Sequence, residues 1–177
     1  RDTETAEIAM QAGQTGHYVL STIHTIDSIE VITRLRKMGV SDYDISSTLA
    51  TAVSQRLVRR VCKHCARQRE FTQEEKDTMQ KIADRYGSQI DFNGKTTFDV
   101  VGCERCNHTG YYGRIAIFEV LSVSDEIKDL IMKGASSIEI RKEALKGTYR
   151  PLVIDGLNKI LTGYTTLDEL NKKLRIF

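Results

Sequence analysis

The chain has 177 residues, 40% of them hydrophobic and 28% charged, with a formal net charge of +2. That length buries one good core beside a small satellite module, and charges that nearly cancel exclude a general affinity for nucleic acid or acidic lipid, leaving only local patches. No uncharged apolar run reaches about 18 residues and no basic leader or cleavable apolar stretch opens the sequence, so a folded cytosolic protein is expected. Arg1 leads at once into the helix-start pattern Asp2-Thr3-Glu4-Thr5 with no initiator Met, which reads as a piece of something longer.

The first helix places Ala6, Ala9, Met10 and Gly13 on one face of small side chains, suited to close approach, and Gly13 to Gly16 stops it. Tyr18-Val19-Leu20-Ser21-Thr22-Ile23 is uncharged and mostly β-favouring, the composition of a strand covered on both faces. Helix followed by buried strand suggests an α/β unit. Asp27 caps the next helix with Glu30 three residues on, Val31, Leu35 and Met38 face inward, and Gly39 ends it. A further helix carries Ile45, Leu49 and Ala52, and the segment Gln55 to Val61 then runs into the first cysteine pair.

Between the cysteine pairs, Thr72 and Glu75 form a capping box for a helix with Met79, Ile82, Ala83 and Tyr86 on one face. Arg114 to Leu121 resumes strand character. The remainder reads as helices marked by Ile127, Leu130 and Ile131, by Val153, Leu157, Ile160 and Leu161, and by Leu167, Leu170 and Leu174, this last capped by Thr166 and Glu169. The only proline, Pro151, stands where a first helical turn tolerates it.

All four cysteines fall in two knuckles, Cys62-Lys63-His64-Cys65 and Cys103-Glu104-Arg105-Cys106. Each pair can clasp one side of a tetrahedral Zn²⁺. The intervening residues, 66–102, exceed the usual spacing, but closure entropy grows only slowly with loop length. Four thiolates around zinc carry a net charge of about −2, and Arg59, Arg60, Lys63, Arg67 and Arg105 lie nearby in sequence to offset it. Such a closed shell leaves no position for substrate, so the metal is structural, and His64 and His108 are bystanders. Paired disulfides would require an oxidising compartment, and a redox CxxC would use a single pair at a helix start.

His24 and Thr25 follow the apolar run and His17 precedes it. Ligands of open α/β sheets bind at the carboxyl ends of strands, which places His24 and Thr25 toward a crevice and His17 at the opposite end. The alternative is that both histidines are strand-end residues making backbone contacts.

Arg1-Asp2, Glu4-Thr5-Ala6, Thr15-Gly16-His17, Ser21-Thr22-Ile23-His24-Thr25, Gln55-Arg56-Leu57, the cysteine knuckles and Gly113 to Glu119, in that order, resemble the secretion ATPases. The branch serving type II secretion and type IV pilus assembly is the most similar, since retraction ATPases lack the four-cysteine insert. The resemblance implies an α/β fold: the C-terminal part of a RecA-like ATPase core (1–61), a tetracysteine zinc insert (62–112), and a return strand with a C-terminal helical subdomain (113–177). It implies a homo-hexamer that hydrolyses ATP with Mg²⁺ and works on an inner-membrane platform protein from the cytoplasmic face, with no direct nucleic-acid partner.

By position, Arg1 and Asp2 match the end of the family's Walker B region, and Thr15 to Thr25 match its histidine box. In that box the resemblance makes His24 a γ-phosphate sensor supported by His17, with Thr25 beside it. Gln55-Arg56 matches a basic element that closes the core before the zinc insert. Arg34, Arg36, Arg56, Arg59 and Arg60 are either contacts to a neighbouring copy's nucleotide or solvated and zinc-balancing charges.

The departure from the family is the absence of any Gly-x-x-x-x-Gly-Lys-Ser/Thr, so the phosphate cradle, its lysine and the Mg²⁺-binding hydroxyl are missing. These residues alone are expected not to hydrolyse ATP, and exposed strand edges would favour self-association. A zinc-ribbon module docking protein or nucleic acid is the alternative, although the aromatic interleaving of a single-strand-binding surface is thin.

Overall fold

A computed structural model describes residues 3–176. In chain order the elements are α1 (Thr3–Gln14), α2 (Glu30–Lys37), α3 (Asp42–Thr48), β1 (Thr51–Val61), β2 (Arg67–Arg69) and α4 (Gln73–Asp84). There follow β3 (Thr97–Asp99), a 3-10 turn (Glu104–Cys106), β4 (Tyr111–Ser122), α5 (Asp125–Met132), α6 (Ser137–Ala144), α7 (Leu152–Leu161) and α8 (Leu167–Leu174). β1 pairs with β4, and β2 pairs antiparallel with β3, Gln68 opposite Phe98. Cys62 N–H donates to the Gly110 carbonyl at one end of the long pair and Val123 N–H to Ala50 at the other, so β1 and β4 also run antiparallel.

Residues packed together divide into two units, one up to Ser54 with Glu119–Arg150 and the other Gln55–Phe118 with the residues from Pro151 on. The first is built on α1, α2, α3, α5 and α6. Helix boundaries follow their caps: Asp27 Oδ1 accepts from the N–H groups of Ile29 and Glu30, and Gly39, at φ +86°, lets the chain turn after α2. Ile29, Ile32, Ile45, Leu121, Ile131 and Ile140 are its most enclosed apolar side chains, each contributing about 1.5–3 kcal/mol by leaving water. Arg36 lies across the end of α5, donating to the carbonyls of Ile131 and Ala135 while paired to Asp42. Cations are favoured at that end of a helix.

In the second unit Met79, Ile82 and Ala83 of α4, Val58, Ile117, and Leu157, Ile160 and Leu170 of the last helices share one core. The capping box is present as expected: Thr72 Oγ1 accepts from Glu75 N–H and Glu75 Oε2 from Thr72 N–H. Both Glu75 oxygens also bind Arg69, which ties α4 to β2.

Two local expectations are corrected, and one helix was left unmarked by its sequence. Tyr18 to Ile23 is not a covered strand: no strand includes it, Tyr18 and Leu20 are fully exposed, and His17 to Thr25 runs without regular structure. A strand needs hydrogen-bonding neighbours at its edges, and among the described residues the long strands β1 and β4 pair with each other. Ala52 belongs to β1 rather than to α3, which ends at Thr48. Helix α6 went unread because its stripe is weak, with Ile140 buried and Ile138 exposed, although Ser136 and Glu139 give it a full capping box.

Thr166 caps helix α8, and Glu169, expected to share that cap, turns its side chain to an ion pair that docks the helix. Glu169 has a fully buried side chain that accepts from Arg59 Nε at 2.7 Å and from Arg59 N–H at 3.0 Å. Burial raises the carboxyl's pKa, but the Arg59 bonds outweigh it and hold Glu169 below the usual range. A depressed folded-state pKa contributes stability that is complete above the unfolded value of about 4.3 and is lost as pH falls through the folded value. Glu169→Gln is therefore expected to destabilise the protein by about 1–3 kcal/mol near neutral pH, the smaller part of that range applying where Arg59 stays solvated. Urea melts of both proteins should show the difference closing below about pH 4; a difference that is independent of pH would contradict it.

Candidate functional site

The two cysteine knuckles meet where β1 ends and β4 begins. Cys62 N–H binds the Gly110 carbonyl at 2.9 Å, and the amides of Cys65 and Ala66 fold back onto the Cys62 carbonyl. The second knuckle turns through left-handed backbone at Asn107 (φ 48°), His108 (φ 58°) and Gly110 (φ 71°). A Cβ on Gly110 would drive into Val100, and one on Gly102 would lie 2.7 Å from the His108 carbonyl oxygen. Both positions require glycine.

This folding brings all four sulfurs within 4.8 Å of one another. The separations are 4.0 Å for Cys62 to Cys103, 3.8 Å for Cys65 to Cys106 and 3.7 Å for Cys103 to Cys106. A disulfide would bring two sulfurs to about 2.0 Å, and none forms. Bonds of about 2.3 Å to a central zinc in a tetrahedron place sulfurs about 3.8 Å apart, so the cluster fits a four-coordinate metal of that size. The knuckle also supplies outer support, since the N–H groups of Cys103 and Gly110 point at Cys106 Sγ at 3.1 and 3.2 Å. Against burial, which raises it, these two amides hold the Cys106 thiol down to about 6. Burial pushes Cys65 up to about 12. The set can hold a metal ion through four thiolates and offers no open position for substrate.

The histidines beside the knuckles stay outside the sulfur cluster: His64 Nε2 lies 2.9 Å from Arg105 Nη1. The expected charge compensation is partly redirected. Arg59 is engaged by Glu169 and stacks 4.0 Å above the Tyr111 ring, and Arg60 lies over Tyr164. The Tyr111 hydroxyl bonds Thr166 Oγ1 at 2.8 Å, which links the residue after the knuckle to the cap of α8. Spacing along the chain cannot reveal such partners, because Arg59 and Glu169 are brought together only by the fold.

His17 and His24 are exposed on the irregular stretch between α1 and α2. His17 Nδ1 is 3.1 Å from Thr15 Oγ1, and the Thr25 hydroxyl donates to the Asp27 carbonyl at 2.9 Å. Arg56 is an exposed residue of β1 whose Nη1 reaches the Gln55 carbonyl. Arg1 and Asp2 lie outside the described residues. Sequence reasoning read Asp27 as a cap but missed the polar group beyond it, formed by the buried Ser28, Glu119 and Tyr149 and the part-buried Arg141. No described helix is long and apolar enough to cross a membrane.

The family described as Type II/IV secretion system protein matches residues 1–172. The chain is 44% identical over 170 residues to the type IV pilus assembly ATPase PilB of Thermus thermophilus, covering 96% of this chain and 18% of that protein. It is 38% identical over 176 residues to the type II secretion system protein E of Aeromonas hydrophila, covering 99% of this chain and 33% of that protein. The chain thus spans a third or less of these two relatives. The crystal structure of the Legionella pneumophila ATPase DotB superposes with a TM-score of 0.59 over 97% of this chain and 36% of that one, at 19% identity, which shows a shared fold. That shared fold is the α/β class expected, and it carries four cysteines placed so that they can hold a metal. With the family match running through residues 1–172, the chain belongs to the type II/IV secretion system protein family.

Proposed function

We propose that these residues are the C-terminal portion of a homo-hexameric motor that hydrolyses ATP to power type II secretion or type IV pilus assembly. The observation that carries the reading is the similarity along nearly the whole chain to a pilus assembly ATPase and a type II secretion protein E. In this reading the parent acts on an inner-membrane platform protein from the cytoplasmic side. The sequence holds no Gly-x-x-x-x-Gly-Lys-Ser/Thr, so the phosphate cradle and the Mg²⁺-binding hydroxyl come from elsewhere in the parent, and these residues alone are inactive.

His24 is assigned to the γ-phosphate, with His17 and Thr25 supporting it, Arg56 as a further phosphate-facing cation, and Arg1 and Asp2 at the end of the Walker B region. An imidazole can donate to a phosphate oxygen and register its loss. The exposed apolar stretch from Tyr18 to Leu20 supports the assignment, since it has the composition of a strand and unused capacity to join a sheet. In the full-length ATPase, His24→Ala is expected to lower turnover by about tenfold or more while leaving the melting temperature unchanged. Steady-state ATP hydrolysis measures it, and undiminished turnover would remove His24 from the site.

Cys62, Cys65, Cys103 and Cys106 are assigned to one structural Zn²⁺, which supplies cross-linking rather than chemistry. Elemental analysis should find one zinc per chain. Cys103→Ser should lose it and lower the stability of the second unit by about 2 kcal/mol or more, read by thermal melting. Equal melting of the variant and the parent would rule out a structural metal.

A further inference from the structure

Beside the His24 segment the first unit buries a polar network with more parts than capping α2 needs. Asp27 caps α2 through Oδ1 alone, and its Oδ2 takes a 2.6 Å bond from Arg141 Nη2 on α6. Arg141 Nη1 lies 3.0 Å from the Tyr149 hydroxyl, and Tyr149 in turn is set against Glu119. Glu119, 3% exposed on β4, accepts from Ser28 N–H at 2.9 Å and from Ser28 Oγ at 2.6 Å. Burial, and after it Glu119, keeps the Tyr149 phenol well above its ordinary pKa. It therefore stays protonated, and its oxygen accepts from Arg141 Nη1.

Apolar residues would hold α2 at less desolvation cost than these carboxylates. What directional bonds add is a fixed backbone position at Asp27 and Ser28. That position is passed back toward His24 because the Thr25 hydroxyl donates to the Asp27 carbonyl. The elements bearing Arg141, Tyr149 and Glu119 thus determine where the chain leaves the histidine segment.

We infer that Glu119, Tyr149 and Arg141 are positioning residues for His24 and Thr25, holding the exit of that segment through Ser28 and Asp27. The inference rests on the reading of His24 as a phosphate sensor. A positioned sensor affects the chemical step more than ground-state binding, and two residues acting through one group are non-additive.

The test is a set of double-mutant cycles in the full-length ATPase, pairing His24→Ala with Tyr149→Phe, Arg141→Lys and Glu119→Gln, with kcat, KM for ATP and melting temperature measured for each. Tyr149→Phe removes one hydroxyl at nearly constant volume and keeps the test valid if Glu119→Gln fails to fold. Expected are a kcat lowered about tenfold at nearly constant KM in the network variants, and double variants no slower than His24→Ala. Network variants with normal kcat, or losses that multiply with that of His24→Ala, would overturn the positioning role while leaving the sensor in place. A normal kcat in His24→Ala would overturn the sensor reading and the positioning role together.

Discussion

The second unit depends on four sulfurs brought within 4.8 Å of one another at the junction of β1 and β4. Each knuckle is anchored by its own backbone, through the amides on the Cys62 carbonyl and those on Cys106 Sγ. Closing the loop of residues 66–102 at its neck leaves α4 and the β2–β3 pair to organise themselves locally. They do so with the Arg69 bonds to Glu75 and Asp99, while Phe71, Met79, Ile82 and Ala83 join the one core of this unit. A module of this size gains most from a cross-link that removes freedom from the unfolded chain.

From that neck the constraint passes on through side chains. Tyr111 follows Gly110 directly, its ring receives the Arg59 guanidinium, and its hydroxyl reaches Thr166. Arg59 meets Glu169 one turn further into α8, while Thr165 Oγ1 donates to the Arg59 carbonyl. The buried Glu169 is thus satisfied by backbone and guanidinium together, the condition under which a buried charge is tolerated. In the first unit the Asp27, Arg141, Tyr149 and Glu119 network plays a comparable directional part beside the histidine segment. Both networks join segments far apart in the chain, and both rest on a glutamate whose neighbours come from other elements.

Local chemistry was legible in the sequence and long-range chemistry was not. The Thr72 to Glu75 capping box, the Asp27 cap, the Gly39 stop and the cysteine knuckles are all written within a few residues, and each appears where expected. Arg59 could be read only as one of several basic residues near the cysteines, because its partner Glu169 stands 110 positions away. Tyr18 to Ile23 shows the converse limit. Its β-favouring composition states what the segment can do, but strand formation also needs a neighbouring edge, and composition does not reveal whether one is at hand. The order of motifs carried the family assignment, since no single short motif would have done so.

Hydrogen exchange of the protein before and after treatment with a zinc chelator tests most directly whether the sulfur cluster is a metal-held clamp. The account predicts that chelation removes protection at Cys62, Tyr111 and along α4 and α8, while α2 and α5 exchange as before. Unchanged exchange at the knuckles and α8 after the metal is gone would show that the fold holds this junction without it, and would contradict the account.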